Sequence, residues 1–198
     1  IKTKQVMREL TKVFGRDTII CNENGMQDLW SYYFPYYKVL SGGDAFAPGN
    51  QTLMGMAVAG AIGAKLAAPH KKVVCTTGDG AFQMFMKEMP TAVQYNAPVT
   101  WVVLNNYSLG WPKFYQKVLG ERYIATDFTV QPDFAKVAEA NKCSGQHVER
   151  PGDVEPALKT ALKKNNEGVP AVVDFVIDPW DCPEGFKDFF RALRGIDI

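Results

Sequence analysis

The fold is decided by the stretch Val73-Val74-Cys75-Thr76-Thr77-Gly78-Asp79-Gly80. Its first five residues are apolar or β-branched, which predicts a strand over Val73–Thr77 that is buried on both faces. A Gly-Asp-Gly turn follows the strand, and an amphipathic helix is predicted over Phe82–Tyr95. Because strand, turn and helix in this order form the repeating unit of parallel sheets, the stretch indicates an α/β fold.

Helical and strand-like segments alternate along the chain, which is typical of a doubly wound, mostly parallel sheet with helices on both faces. Pro90 lies inside one predicted helix, where it should kink that helix or start a second one. The pattern breaks down after Ile177, so residues 1–178 are interpreted as one domain and residues 179–198 as a C-terminal tail or lid. The predicted strands are Thr18–Asn22, Val73–Thr77, Val99–Leu104 and Ala171–Ile177. The predicted helices are Lys4–Phe14, Thr52–Ala67, Phe82–Tyr95, Pro132–Ala140 and Val154–Lys164.

The composition fits one soluble globular domain, because 198 residues with 46% hydrophobic content can bury a substantial core. With 22 basic and 21 acidic residues the formal net charge is +1, which gives no general attraction to nucleic acid or an anionic membrane. The four cysteines are far apart, which argues against a zinc site or a disulfide framework. No signal peptide opens the chain, and the apolar stretch Leu53–Pro69 is too short to span a membrane. We therefore expect a cytoplasmic protein.

The Gly78-Asp79-Gly80 turn predicts a site for a phosphate group. Backbone N–H groups at a helix N-terminus are unpaired, the helix dipole favours anions, and glycines let a diphosphate approach closely. A carboxylate beside that anion would repel it unless a cation lay between them, which suggests Mg²⁺ or Ca²⁺ with oxygen ligands. The alternative is that Asp79 only caps the helix, as Asp does in many turns.

Asn105-Asn106 follows the strand Val99–Leu104, with 24 residues between Gly80 and this pair. Since neighbouring parallel strands end at the same edge of a sheet, we expect the Asn106 amide oxygen and the Asp79 carboxylate to converge there. By itself, an Asn-Asn pair at a strand end is also common in loops.

Gly78-Asp79-Gly80, 24 intervening residues and Asn105-Asn106 together resemble the signature of thiamin-diphosphate enzymes. The resemblance covers nearly the whole chain and points to the C-terminal diphosphate-binding domain of the acetolactate synthase and 2-hydroxyacyl-CoA lyase branch. It implies the thiamin-diphosphate-binding fold, with thiamin diphosphate and Mg²⁺ as cofactors. The implied metal ligands are Asp79, the Asn106 side chain and the Ser108 carbonyl. The implied cofactor contacts are Thr52, Met54, Gly78, Asp79, Gly80, Ala81, Asn106, Ser108, Leu109 and Gly110.

Thr52-Leu53-Met54-Gly55 resembles the Gly-Thr-Met-Gly segment of acetolactate synthases, although Thr52 stands where that family usually has Gly. The resemblance places Met54 beneath the thiazolium ring of the cofactor and the Thr52 carbonyl near its aminopyrimidine. The alternative interpretation of Met54 is an ordinary core methionine.

The segment after Asn106 corresponds to the substrate pocket of the resembling enzymes. Its candidates are Trp111, Pro112 and Tyr115, which could instead be aromatic-helix residues that pack on a partner subunit. Glu121 is a candidate for handling a substrate proton, and its alternative is an exposed loop acid. His70 and His147 have no partner nearby in sequence and are given no role.

The resemblance also implies that the active site is completed by another domain. In the family the activating acid is a Glu of a pyrimidine-binding domain, which no segment here resembles. The implied partners are that domain, within a homo- or hetero-oligomer (dimer or tetramer), and a 2-oxo acid or acyl-CoA substrate whose C–C bond beside a carbonyl is cleaved or formed. The tail resembles lids of acyl-CoA-handling members, which favours a 2-hydroxyacyl-CoA lyase. The alternative interpretation of the tail is a simple packing arm. The alternatives are a 2-oxo acid decarboxylase subunit, a non-catalytic cofactor-binding subunit, and an unrelated flavodoxin-like or nucleotide-binding module.

Overall fold

The computed structural model describes residues 1–26, 28–31, 36, 38–193 and 195, and these form an α/β fold around a six-stranded sheet. The strand order is β2-β1-β3-β4-β6-β5, and every neighbouring pair is parallel. The expected α/β fold is confirmed. The strands are β1 Thr18–Asn22, β2 Asp44–Phe46, β3 Lys72–Gly78, β4 Thr100–Asn105, β5 Ser144–Val148 and β6 Ala171–Val176.

Helices cover both faces of the sheet. Within the part of the chain that the structure describes, three short 3-10 turns lie between them, at Gly49–Gln51, Met86–Glu88 and Pro151–Asp153. The helices of the described residues are α1 Thr3–Phe14, α2 Asp28–Ser31, α3 Met56–Ala67, α4 Asp79–Phe85, α5 Met89–Gln94, α6 Gly110–Val118, α7 Phe134–Ala140, α8 Val154–Asn166 and α9 Phe186–Leu193.

The sequence predicted the four central strands and missed both edge strands. β2 has only three residues, and β5 contains polar residues such as Gln146 and His147, so neither shows the apolar run of a buried strand. β1, β3, β4 and β6 have nearly every residue buried, which is why their sequences are recognisable.

Two predicted helices differ in the structure. The helix expected from Thr52 begins at Met56, because Thr52 and Gly55 take left-handed backbone angles with φ of 45° and 89°. The helix expected over Phe82–Tyr95 is divided into α4, a 3-10 turn and α5. Pro90 lies in the first turn of α5, where its missing N–H leaves no helical bond unmade, so the expected effect of Pro90 is confirmed.

The core consists of two apolar layers, one on each face of the sheet. Helices α3, α4, α5 and α7 pack on one face, where the Trp101 indole N–H donates a hydrogen bond to the Val58 carbonyl at 2.9 Å. Helices α1, α2 and α8 pack on the other face. A third cluster joins α6 to α9, with the Tyr115 and Phe190 ring centroids 4.6 Å apart.

The strand order creates a crevice at the carboxyl ends of β1 and β3. The chain proceeds from β1 to β2 on one side of β1, and β3 then pairs on its other side. Such a switch point leaves a gap between the loops that leave the two strands, and ligands of open α/β sheets bind there.

After β6 the chain returns across the start of α1. The Thr3 backbone N–H donates to Asp181 Oδ2 at 2.6 Å, and α9 then packs on α6. The division into residues 1–178 and a tail at 179–198 stays a prediction. No helix of the described residues is long and apolar enough to cross a membrane.

Candidate functional site

A cavity of about 300 Å³ lies at the carboxyl ends of β1, β3 and β4. Asn24 and Met26 line it from the loop after β1, while residues of the Gly-Asp-Gly turn and of the Asn105-Asn106 turn line it from β3 and β4. Most of the predicted site residues therefore meet in one place. The predicted residues that line it are Met54, Gly78, Asp79, Gly80, Ala81, Asn106, Ser108, Leu109, Gly110, Trp111 and Pro112.

Three predicted site residues do not line this cavity. Thr52 is exposed, and its carbonyl accepts a hydrogen bond from Asn24 Nδ2 at 2.8 Å. Tyr115 packs into the aromatic cluster of α6 and α9. Glu121 is exposed in the loop after α6 with a φ of 60°, so the structure does not bring its carboxylate to the cavity wall.

Asp79 begins α4 and is a buried carboxylate, with 2% of its surface exposed. Its Oδ1 accepts a hydrogen bond from the Gly80 N–H at 3.0 Å, and its Oδ2 accepts one from Gln131 Nε2 at 2.8 Å. Burial raises the pKa of Asp79 from 3.8 to about 6, and the hydrogen bond from Gln131 only partly offsets that rise. A cation beside this carboxylate would favour its ionised form, so the group fits a metal ligand.

Asn106 and Ser108 form a tight turn opposite Asp79. Asn106 Oδ1 accepts hydrogen bonds from the Ser108 N–H and hydroxyl, each at 3.1 Å. The hydroxyl has one hydrogen and also lies 3.4 Å from the Asn106 carbonyl, so it can turn there and leave Asn106 Oδ1 a lone pair. Carboxylate, amide and backbone carbonyl oxygens are the ligands that hard cations such as Mg²⁺ prefer.

The described residues contain no group of three or more His, Cys, Asp or Glu side chains that could hold a metal ion. A metal in the cavity would therefore depend on one carboxylate together with amide and carbonyl oxygens. Mg²⁺ commonly binds in this way, with one or two protein carboxylates and phosphate oxygens completing its shell.

Gly80 leaves space in the cavity that a side chain would fill. A Cβ at this position would lie 3.0 Å from Leu109 Cδ2 and 3.6 Å from Met54 Cε. Met54 is thus packed beside the Gly-Asp-Gly turn and lines the cavity, and its position beneath the thiazolium ring stays a prediction. The first N–H groups of α4 have no helical partner, and apart from the Gly80 N–H, which donates to Asp79 Oδ1, they can face an anion there.

Glu23 is a site-supporting residue that sequence reasoning missed. It is completely buried after β1, and its Oε2 accepts hydrogen bonds from the Ala57 and Val58 N–H groups at 2.9 and 3.2 Å. Burial raises its pKa, while these backbone bonds act in the opposite direction. Glu23 thereby caps α3 and anchors the segment that carries Met54. An acidic residue at the end of a buried strand was the available signal.

His147 also has a partner that its sequence neighbours do not reveal. Its Nδ1 lies 2.8 Å from Oδ2 of Asp174, which is 27 residues away in sequence and opposite His147 in the β5–β6 register. Its Nε2 also lies 3.3 Å from Oε1 of Glu149, two residues along the chain. The expectation that His147 lacks a partner nearby in sequence is therefore wrong, and it also overlooked the pairing with Asp174, because β5 was not recognised as a strand.

The fold and its switch-point crevice define an α/β domain of the cofactor-binding class. Residues 23–175 match the family model described as thiamine pyrophosphate enzyme, C-terminal TPP binding domain. The chain belongs to this family.

Relatives of known name agree with this assignment. The chain is 34% identical over 185 residues to a probable acetolactate synthase large subunit of Methanococcus aeolicus, and the match covers 90% of this chain and 30% of that relative. It is 32% identical over 207 aligned positions to an acetolactate synthase of Mycobacterium bovis, and that match covers 99% of this chain and 33% of the relative. The chain therefore spans about a third of the length of these relatives.

A solved structure shares the fold. The thiamine diphosphate-dependent 4-hydroxybenzoylformate decarboxylase of Rhodococcus jostii RHA1 superposes with a TM-score of 0.76 and is 25% identical. The match covers 90% of this chain and 33% of the decarboxylase. The expected thiamin-diphosphate-binding fold is thereby confirmed.

Proposed function

We propose that this chain binds the diphosphate of thiamin diphosphate and its Mg²⁺ within an enzyme that cleaves or forms a C–C bond beside a carbonyl group, as acetolactate synthases do. The observation that carries this proposal is the convergence of Asp79, Asn106, Ser108 and Gly80 on one cavity at the strand ends. Membership of the TPP-binding family supports the same cofactor.

Each of these residues has a distinct part in the proposal. The Asp79 carboxylate, the Asn106 amide oxygen and the Ser108 carbonyl would hold Mg²⁺, which would supply positive charge to the diphosphate. The backbone N–H groups of Gly80 and Ala81 would bind phosphate oxygens at the start of α4, and the Gly80 N–H would exchange its bond to Asp79 Oδ1 for one to a phosphate oxygen. Thiamin diphosphate, when bound, supplies the electron sink for the reaction, and the protein supplies binding and orientation.

The apolar part of the cavity shapes the rest of the site. Met54, packed beside Gly80, supports the middle of the cofactor. Met26, Trp111 and Pro112 line the cavity with apolar surface and exclude water from the substrate end.

We infer that the catalytic acid and the remaining substrate contacts come from a pyrimidine-binding domain outside this chain, in an oligomeric enzyme. The chain spans about a third of its relatives, which leaves room for such a domain in the whole enzyme. Asp79 is the one carboxylate among the described residues that line the cavity, and the proposal commits it to the metal.

The relatives favour an acetolactate-synthase-like reaction over the 2-hydroxyacyl-CoA lyase that the tail suggested. A 2-oxo acid decarboxylase is a second candidate, favoured by the decarboxylase that shares the fold. Mixing the chain with a pyrimidine-binding domain and supplying pyruvate separates these candidates, because carboligation gives acetolactate and simple decarboxylation gives acetaldehyde. A complex that binds cofactor and turns over no 2-oxo acid would instead indicate a non-catalytic subunit.

Calorimetric titration of the chain with thiamin diphosphate, with and without Mg²⁺, tests the binding site. Asp79→Ala and Asn106→Ala should abolish Mg²⁺-dependent binding. Gly80→Ala should weaken binding by at least about tenfold, because its Cβ occupies the space that the diphosphate needs.

Asp153→Ala is the matched control for the Asp79 variant. Asp153 also lies at a helix start, as the N-cap of α8, and it is not among the residues that line the cavity. Loss of an aspartate at a helix start should by itself leave cofactor affinity unchanged. Unaltered affinity in Asp79→Ala would show that Asp79 is only a cap and would overturn the metal site.

A further inference from the structure

We propose that Gln131 is a positioning residue that joins the two halves of the metal site. This inference rests on the proposed function, in which Asp79 after β3 and Asn106 after β4 hold the same ion. Gln131 Nε2 donates to Asp79 Oδ2 at 2.8 Å, and Gln131 Oε1 accepts from Asn105 Nδ2 at 2.8 Å. One side chain thus connects the carboxylate on one strand end to the turn on the next.

The donor and the acceptor of each hydrogen bond in this connection are fixed, because the group at one end can only accept and the group at the other end can only donate. An ionised Asp79 carboxylate can only accept, so the NH₂ group of Gln131 must face it. At the other end, the Tyr107 backbone N–H can only donate, and it lies 3.1 Å from Asn105 Oδ1. The Asn105 NH₂ group therefore faces Gln131, and both amides have a single consistent orientation.

The connection also supports a strained turn between the proposed ligands. Tyr107 has a φ of 55°, in the left-handed region that is unfavourable for residues with a Cβ. The bond from the Tyr107 N–H to Asn105 stabilises that conformation. Because Tyr107 lies between Asn106 and Ser108, its conformation determines where both of these ligands point.

Gln131 is itself held in place from outside the cavity. It lies three residues before Phe134, the first residue of α7, which is completely buried in the core, and Asp133 between them caps the helix. The backbone of Gln131 is therefore positioned by the packing of α7 on the sheet. Removing a residue that orients metal ligands through hydrogen bonds, without touching the metal itself, typically lowers metal affinity by about 10–100-fold.

Replacing Gln131 tests this role. Gln131→Met keeps the length of the side chain and removes both hydrogen bonds. Gln131→Asn keeps the amide and adds no charge, but it is one methylene shorter, so it cannot reach Asp79 and Asn105 at the same time. Gln146→Met is the control, because Gln146 Nε2 makes a single structural bond to the Ala157 carbonyl at 3.1 Å, away from the cavity.

The measurement is a Mn²⁺ titration of the 198-residue chain followed by electron paramagnetic resonance, with thiamin diphosphate in excess. Both Gln131 variants should bind Mn²⁺ about 10–100-fold more weakly than the unmodified chain, and Gln146→Met should bind it within about twofold. Thermal unfolding without ligands should give similar midpoints for Gln131→Met and Gln146→Met. If Gln131 had a purely structural role, Gln131→Met would lower the midpoint and leave the Mn²⁺ affinity unchanged.

The outcomes separate the inference from the proposed function. If the unmodified chain binds Mn²⁺, Asp79→Ala does not, and both Gln131 variants bind it normally, then only the positioning role of Gln131 is overturned. If the unmodified chain and Asp79→Ala do not differ in Mn²⁺ binding, the metal site itself is overturned, and the role of Gln131 with it.

Discussion

Replacing Asp79 by Asn should stabilise the ligand-free chain while destroying its metal site. Asp79 is buried, with 2% of its surface exposed, and burial raises its pKa from 3.8 to about 6. The folded protein therefore holds an ionised carboxylate at about pH 7 in a place that disfavours it. Asn has nearly the same shape and carries no charge.

The magnitude follows from the pKa and from the hydrogen bonds. Because one pKa unit corresponds to about 1.36 kcal/mol, ionised Asp79 lowers the free energy of unfolding by about 3 kcal/mol at about pH 7. The Gly80 N–H and Gln131 Nε2 both donate to Asp79, whereas Asn offers a single oxygen. One lost hydrogen bond costs about 1 kcal/mol, so the net stabilisation should be about 2 kcal/mol.

Urea unfolding of both proteins over a range of pH measures this effect. Since the folded pKa of Asp79 is above its unfolded value, its penalty is absent below about pH 4 and grows as the pH rises through about 6. The advantage of Asp79→Asn should therefore be largest near neutral pH and shrink in acid. With thiamin diphosphate and Mg²⁺ present the order should reverse, because ligand then stabilises only the unmodified chain. A variant that is less stable than the unmodified chain at neutral pH without ligand would refute the reasoning.

Two further predictions concern Gly55 and His147. Gly55→Ala should lower the free energy of unfolding, measured in urea, by about 3 kcal/mol, because φ is 89° and the new Cβ would lie 1.9 Å from the Phe85 ring. The control Gly49→Ala, at φ 63° with open space around the new Cβ, should lower it by about 1 kcal/mol. Equal losses in the two variants would contradict the steric account. Burial lowers the pKa of His147, but the hydrogen bonds and charges of Asp174 and Glu149 together outweigh it and raise that pKa overall. The stability that His147 contributes is therefore present below its pKa in the unfolded chain and is lost as the pH rises through its pKa in the folded protein. His147→Gln should accordingly lower the unfolding temperature more at about pH 5.5 than at about pH 8.5. A loss that does not depend on pH would contradict this linkage.

Much of the site could be predicted because its main groups directly follow buried strands. Asp79 and Asn106 come after β3 and β4, whose apolar residues are recognisable in the sequence, and adjacent parallel strands bring their ends together. The placement of Met54 came from a resemblance to acetolactate synthases, since a methionine by itself carries no such information.

Other features depended on contacts between distant segments. Gln131 reaches Asp79 across 52 residues of chain, and Glu23 reaches Ala57 across 34. These partners are brought together by the order in which strands and helices pack, and nothing in the local sequence of either partner indicates the other. The same applies to Tyr115 and Glu121, whose positions in the α6 helix and its following loop direct them away from the cavity.

The sequence by itself determined the class of fold, the four buried strands and the Gly-Asp-Gly helix start, because apolar runs, glycines and proline act on the backbone locally. Tertiary structure alone decided the edge strands, the amide connection through Gln131 and the raised pKa of Asp79. Each of these arises from burial and hydrogen bonding between segments that meet only when the sheet has assembled.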